Sequence, residues 1–269
     1  LIDTVAIGRF DGLHLGHFEL LKRLGDNGAI LLIDTKKSNL TPPQFFDRYT
    51  PKKVFRYELE SIKELSAKEF VQKLKNDFKD LKRVVVGEDF RFAKNREGST
   101  KELRELFEGE TVVVPELKID GAGVHSRLIR ALLIDGKVKE AAKYLGREYE
   151  VCGEVEKGQG IGAQKLVATI NLGVKAYILP KEGVYATRTQ INGRLCQSVT
   201  FVGHRVSTDG NFAVETHILE EFDKEKVDAN VFVRFCAKIR DNKYYESIEE
   251  LKKAIVSDIK NAKSLLQKG

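Results

Sequence analysis

Methionine and tryptophan are absent from this 269-residue chain, and cysteine occurs only three times. No function is read from the first two absences. Cys152, Cys196 and Cys236 are odd in number, far apart and form no CxxC pair. That excludes a disulfide scaffold and points away from a zinc site; a reducing cytoplasm is the simplest setting. No apolar run approaches the roughly 18 residues needed to cross a bilayer. No basic region followed by a long apolar stretch opens the chain, so neither a membrane span nor a signal peptide is expected. Concentrated basic blocks are missing too: the net charge of +6 is spread thinly along the chain. Nucleic acid is therefore not an expected partner, whereas polyphosphate substrates suit the charge.

What is present is a core. Hydrophobic residues make up 42% and charged residues 32% of the chain, the balance of a globular protein. Its length allows one large or two ordinary domains. Up to about residue 145 the pattern alternates between strand and helix. Apolar stretches at 4–7, 29–33, 83–86 and 111–114 read as strands. Helical spacing covers 16–24, 67–78, 100–107, 126–134 and 138–145. The apolar run 29–33 is continuous, as a strand buried on both faces requires. This predicts an α/β domain, a parallel sheet with helices on both faces. After residue 148 the pattern becomes strands and turns. Asn192-Gly193 and Asp209-Gly210 are hairpin signals, and 247–266 is an amphipathic helix with Ser247 and Glu250 placed for a capping box. A small antiparallel barrel with a closing C-terminal helix is expected. The domains are placed at 1–147 and 148–269.

The first chemical candidate is Gly8-Arg9-Phe10-Asp11-Gly12-Leu13-His14-Leu15-Gly16-His17, where a strand hands over to a helix. In an open parallel sheet ligands gather at the carboxyl ends of strands, and a helix N-terminus offers unpaired N–H groups to an anion. Gly8, Phe10, Asp11, Gly12 and Gly16 are candidate phosphate-binding positions. His14 and His17 share one face of the first helical turn. Their ring N–H groups can stabilise the charge that grows on a phosphorus under attack. Either histidine alone reads more readily as a surface residue near a turn; the two together, in HxGH after a strand and FDG, read as phosphate chemistry. A dinucleotide fingerprint is excluded, because GxGxxG is missing.

The second candidate lies after the change of pattern. Gly158, Gly160 and Gly162 form a glycine-rich loop that is no P-loop, since GK[ST] does not follow. Thr169 and Asn171 occupy alternate positions of an extended segment and point the same way. Their oxygens are hard ligands suited to Mg²⁺. Downstream, Phe212, Val214, Thr216 and Ile218 take one face of a strand, and Glu215 and His217 the other. Glu215 has the chemistry of a general base.

The motif GxFDGxHxGH resembles the HxGH nucleotidyltransferase superfamily, in the form found in bacterial riboflavin kinase/FMN adenylyltransferases. Further stretches match that family in order. Residues 87–92, Gly-Glu-Asp-Phe-Arg-Phe, are similar to its loop after the fourth strand, with Ala93 where glycine is usual. Ser126, Ile129 and Arg130 match its SSTxIR motif, with His125 and Arg127 departing from it. Ala168-Thr169-Ile170-Asn171 stands for its PTAN segment, and Glu215-Thr216-His217 for its ExH strand. The resemblance implies two Mg²⁺-dependent steps with ATP as co-substrate: riboflavin to FMN in the barrel, then FMN to FAD in the first domain. It further implies that Ser126 and Arg130 face nucleotide phosphates, that Thr169 and Asn171 hold Mg²⁺, that Glu215 takes the proton from the flavin 5′-hydroxyl, and that Asp89, Phe90 and Arg240 contact flavin. A monomer or weak homo-oligomer is expected. Two rivals stay open: one half being catalytically dead, or a non-enzymatic flavin sensor that binds nucleic acid with steep salt dependence.

Overall fold

The computed structural model describes residues 1–37, 39–156, 169–222 and 227–267. Contacts divide the chain into two units, 1–126 and 127–269. In the first unit β1 (Thr4–Gly8), β2 (Gly28–Asp34), β3 (Lys53–Glu58), β4 (Arg83–Gly87) and β5 (Glu110–Val114) form a wholly parallel sheet in the order β3-β2-β1-β4-β5. Alternate residues feed opposite cores, as strand geometry demands. Val5, Ile7, Leu31, Val84 and Val86 pack against Phe70, Val71 and Leu74 of α3 (Ala67–Asp77) and Leu103 of α4 (Thr100–Leu106). Ala6, Ile30, Leu32 and Val85 pack against Leu20 and Leu21 of α1 (Leu15–Leu21). Both α3 and α4 begin with complete capping boxes, Ser66 with Glu69 and Ser99 with Glu102.

The sequence pattern missed β3 and the short helix α2 (Leu59–Ile62) that follows it. β3 is one edge of the sheet, and Lys53, Arg56 and Glu58 break its apolar run. Charge at an edge discourages pairing with another chain, and it also hides the strand from a hydrophobicity reading. A two-stranded ribbon, β6 (Lys118–Ile119) and β7 (Ala122–Gly123), was likewise unread. Its turn, Asp120-Gly121, has φ of 52° and 81°.

In the second unit the helices α5 (Ser126–Ile134) and α6 (Val138–Leu145) precede a closed six-stranded barrel; Ser126 itself, the first residue of α5, counts with the first unit. The barrel consists of β8 (Tyr149–Glu156), β9 (Ile170–Gly173), β10 (Gly183–Ile191), β11 (Arg194–His204), β12 (Phe212–Ile218) and β13 (Asn230–Asp241), joined in the order β10-β11-β12-β9-β8-β13. The expected boundary at 147 assigns α5 and α6 to the sheet; by contacts α6 sides with β8 and β13. Asn192-Gly193 makes the expected hairpin, with φ of 50° and 76°. Asp209-Gly210 does not make a two-residue hairpin: it sits in a longer loop, where Arg205 N–H donates to Asn211 O at 2.9 Å. α7 (Ile248–Leu266) places Ala262 and Leu266 against Val184, Ala186, Val199 and Ala237. Only half of its expected capping box is seen, the Ser247 hydroxyl accepting from Glu250 N–H at 3.2 Å.

The opposite face of the same strands carries hydroxyls. Thr187 Oγ1 lies 2.8 Å from both Ser198 Oγ and Thr200 Oγ1, and Thr189 Oγ1 lies 2.7 Å from Ser198 Oγ. Thr216 Oγ1 closes the circuit, at 3.2 Å from Thr189 and 2.9 Å from Thr200. All five residues have 0% exposure. Each hydroxyl has two ring partners, so each donates once and accepts once, which satisfies a polar girdle inside an otherwise apolar barrel. Among the described residues, no helix is long and apolar enough to cross a membrane.

Candidate active sites

The chain leaves β1 on one side for β2 and returns on the other to β4, so the sheet's switch point lies at the carboxyl end of β1. The turn there is tightly determined. Phe10, Gly12 and Leu13 have φ of 46°, 91° and 39°, and the Phe10 and Leu13 side chains are fully buried in the core. Packing thus holds two non-glycine residues in the left-handed region. Asp11 is buried as well, its Oδ1 accepting from the N–H groups of Leu40 and Thr41 at 3.0 and 3.3 Å. The Ser126 hydroxyl donates to Asp11 O at 2.7 Å. Of the expected phosphate-binding residues, Asp11 and Ser126 therefore visibly build the turn.

His14 is the N-cap of α1. Its Nδ1 accepts from His17 N–H at 3.3 Å, which puts the proton of the neutral ring on Nε2. The His14 and His17 rings stack with centroids 3.5 Å apart and 17° between planes, and Phe10 meets His17 edge-on at 5.2 Å. Neither histidine is a surface residue: His14 is buried and His17 half-buried. Gly16 permits this packing, because a Cβ there would lie 3.2 Å from the His14 ring and 3.1 Å from Val124 O. Gly8, Phe10, Gly16 and both histidines line a cavity of about 570 Å³, within the range of small-molecule sites. Gly12 is not among its lining residues.

The loop after β4 supplies another wall. Asp89 and Phe90 line the cavity, and Phe90 stacks with Phe92 at 5.6 Å and 16°. Arg9, Arg91 and Arg96 line it too and were not singled out from the sequence. Arg9 Nη2 donates to Thr35 Oγ1 at 3.2 Å. Arg91 and Arg96 have no carboxylate partner among the described residues, so their charge is available to an anion. The signal was readable: arginines spaced through the aromatic stretch 90–96. His125 also lines the cavity, bonded through Nε2 to Glu116, whose N–H donates to Glu88 Oε1 at 3.0 Å. Arg130, half-buried on α5, belongs to the second contact unit.

In the barrel, Glu215 of β12 stands directly opposite Asn171 of β9, and Asn171 opposite Glu156 of β8. Opposed residues of neighbouring strands project to the same face, with Cβ atoms roughly 5 Å apart. Thr169 is exposed and immediately precedes β9. Glu215 Oε1 accepts from Arg205 Nη1 at 2.9 Å. The Asn171 amide oxygen and the Glu156 and Glu215 carboxylates share one face, an all-oxygen set of the kind that fits Mg²⁺. Gly158, Gly160 and Gly162 lie outside the described residues. Val214, Thr216 and Ile218 are buried as expected, but Phe212 is 48% exposed and meets His204 edge-on at 5.3 Å. Arg240 is engaged elsewhere: Nε and Nη2 donate to the buried Asp258 of α7 at 3.0 and 2.8 Å, tying the closing helix to β13. Burial pushes the Asp258 carboxyl up, and Arg240 opposes that shift.

A 3-2-1-4-5 parallel sheet with paired histidines at its switch point, followed by a closed barrel with an acid facing an amide, defines a two-part transferase acting on phosphates. Comparison with known proteins gives the family. Residues 54–128 match the FAD synthetase family and residues 145–266 the riboflavin kinase family. The bifunctional riboflavin kinase/FMN adenylyltransferase of Pseudomonas fluorescens is 29% identical, covering 97% of this chain and 92% of its own. The protein of the same name from Haemophilus influenzae is 26% identical, covering 97% and 93%. The crystal structure of a macrolide-efflux protein from Streptococcus pneumoniae shares the whole fold, with a TM-score of 0.85 at 24% identity over 97% of this chain and 94% of that one. The chain belongs to the family of bifunctional riboflavin kinase/FMN adenylyltransferases.

Proposed function

We propose that this chain makes FAD in two ATP-dependent steps, phosphorylating riboflavin in the barrel and adenylylating FMN at the switch point of the sheet. The observation that carries the reading is the stacked His14–His17 pair opening a helix on the wall of a 570 Å³ cavity. In the adenylylation step an FMN phosphate oxygen bonds to the α-phosphorus of ATP. The bond to the β-phosphate bridging oxygen breaks, and pyrophosphate leaves with that electron pair. The imidazole N–H groups stabilise the charge on the α-phosphate. Arg9, Arg91 and Arg96 add positive potential around it, Arg130 takes phosphate oxygens, and Ser126 does so with its hydroxyl turned from Asp11 O.

In the kinase step Glu215 accepts the proton of the flavin 5′-hydroxyl, whose oxygen then bonds to the γ-phosphorus as ADP departs. Thr169 and Asn171 would hold Mg²⁺, which neutralises phosphate charge when bound. Asp89 and Phe90 contact flavin in the first site. The activities divide near residue 147, and the enzyme works in the cytoplasm as a monomer or weak oligomer, without nucleic acid.

The test is a product assay on two variants. His17→Ala is expected to lower FAD formation from FMN by roughly 10²-fold or more, as for loss of other charge-stabilising donors, while sparing FMN formation from riboflavin. Glu215→Gln is expected to do the reverse. Equal damage to both steps from either variant would overturn the separation. FAD made from FMN, with no FMN from riboflavin, would show a dead kinase half.

A further inference from the structure

A carboxylate in a strand can rotate, and a general base must present one oxygen to one hydroxyl. Glu215 is restrained by an arrangement that the reaction outlined above does not use. Arg205 Nη1 donates to Glu215 Oε1 at 2.9 Å. The same guanidinium is gripped by Asp209, through Nε to Oδ1 at 3.1 Å and through Nη2 to Oδ2 at 3.0 Å. Asp209 is fixed in turn by Asn211, whose N–H and Nδ2 donate to its two oxygens at 3.0 and 3.1 Å. All three charged side chains are between 22% and 26% exposed, so the chain of bonds is only partly wetted.

The loop that carries Arg205 and Asp209 is braced from several sides. Gly210 N–H donates to Arg205 O at 3.1 Å, and Tyr245 N–H to Ser207 Oγ at 2.9 Å. His204 N–H and Nδ1 bond the two oxygens of Glu182 at 3.1 and 2.8 Å, and Asn242 Nδ2 donates to His204 O at 2.8 Å. Such bracing of a supporting side chain is what holds a reacting group within a fraction of an ångström.

We propose that Arg205, oriented by Asp209, is the positioning residue for Glu215 in riboflavin phosphorylation. With Oε1 fixed on the guanidinium, Oε2 is the oxygen that receives the 5′-hydroxyl proton. The guanidinium also offsets the repulsion between this carboxylate and the incoming phosphates of ATP. The proposal rests on Glu215 being the base.

The experiment compares Arg205→Gln, Arg205→Lys and Asp209→Asn in the full chain, each alone and in a Glu215→Gln background. FMN formation is followed with riboflavin and ATP varied separately, FAD formation from supplied FMN serves as the internal control, and thermal unfolding is recorded. Arg205→Gln is expected to lower kcat of the kinase at least about tenfold, with both KM values changed less than about threefold, as for a group acting only through the base. Asp209→Asn should lose less, and Arg205→Lys should retain more than Arg205→Gln. In the Glu215→Gln background none should cause further loss, because residues acting as a unit are not additive. Additive losses, or a KM for ATP that rises while kcat holds, would make Arg205 a substrate ligand and overturn the proposal. Undiminished kcat in Asp209→Asn and Arg205→Gln would overturn it as well. If Glu215→Gln alone retains full kcat, the assignment of the base has failed instead.

Discussion

Replacing Thr216 by valine tests the hydroxyl girdle of the barrel, since valine keeps the shape and removes only the oxygen. Two bonds disappear, to Thr189 and to Thr200, at 3.2 and 2.9 Å in the intact ring. Both neighbours are fully buried, so no water replaces the lost partner. At about 1–1.5 kcal/mol net per buried hydrogen bond, the loss is roughly 2–3 kcal/mol. Exchanging the hydroxyl for a methyl returns about 0.8 kcal/mol through apolar burial. A net destabilisation of about 2 kcal/mol follows, or roughly 4–8 °C in Tm for a unit of this size. Thr216→Ser keeps the ring and loses a methyl, so it should cost only about 1 kcal/mol. The assay is thermal and urea unfolding followed by far-ultraviolet circular dichroism together with loss of kinase activity. Thr200→Val combined with Thr216→Val should cost less than the sum of the two, because they share a bond. A valine variant at 216 within about 0.5 kcal/mol of the parent, or additive double variants, would refute the closed ring.

Three further outcomes are expected. Ala93 has φ of 65° and ψ of 179°, a region that costs a non-glycine residue about 1–3 kcal/mol; allowing for about 0.5–1 kcal/mol of glycine entropy and one lost methyl, Ala93→Gly should stabilise by up to about 1 kcal/mol, and a loss of that size in urea unfolding would count against it. Arg240→Ala leaves Asp258 buried without its partner and should cost about 3 kcal/mol; unchanged stability with weakened riboflavin binding would instead return Arg240 to the flavin. The Tyr57 hydroxyl donates to Asp77 Oδ2 at 2.5 Å and, with Lys73, holds the Asp77 carboxyl below its ordinary value. The unfolded chain then binds the proton first on acidification. The stability advantage over Tyr57→Phe, about 1 kcal/mol for this partly exposed pair, should therefore be full above pH ~4 and shrink as the pH falls through the lower, folded value. An advantage that grows on acidification would reverse the sign.

Most of the architecture was legible because the two halves use different periods. Ala29 to Ile33 is apolar throughout and Ala29 to Leu32 prove buried on both faces, whereas β12 alternates Val214, Glu215, Thr216 and His217 as a one-sided strand must. β3 was not legible because Lys53, Arg56 and Glu58 interrupt it, and edge protection erases the pattern that reveals a strand. Asp209-Gly210 misled because a carboxylate gripping Arg205 and Asn211 has the same letters as a turn signal. At the sites, His14 and His17 were readable as a local motif. Residues assembled from distant positions were not: no spacing rule brings Leu40 N–H to Asp11, and nothing in the order of the chain announces that Arg205 meets Glu215 or that five hydroxyls on three strands close a ring.

The strand order of the barrel has a consequence for how the chain is made. β13 pairs with both β8 and β10, so the barrel's first strand waits for its last. The parallel sheet, by contrast, holds all five of its strands once residue 114 has emerged. Synthesis at about 5–20 residues per second leaves the second half without a closed barrel for several seconds after the first sheet is complete. During that interval β8 and β10 present open edges, the condition under which strands pair wrongly with neighbouring chains. A ribosome stalled before residue 230 would thus display one finished fold and one that cannot form, and co-translational protease protection should appear in two well-separated stages.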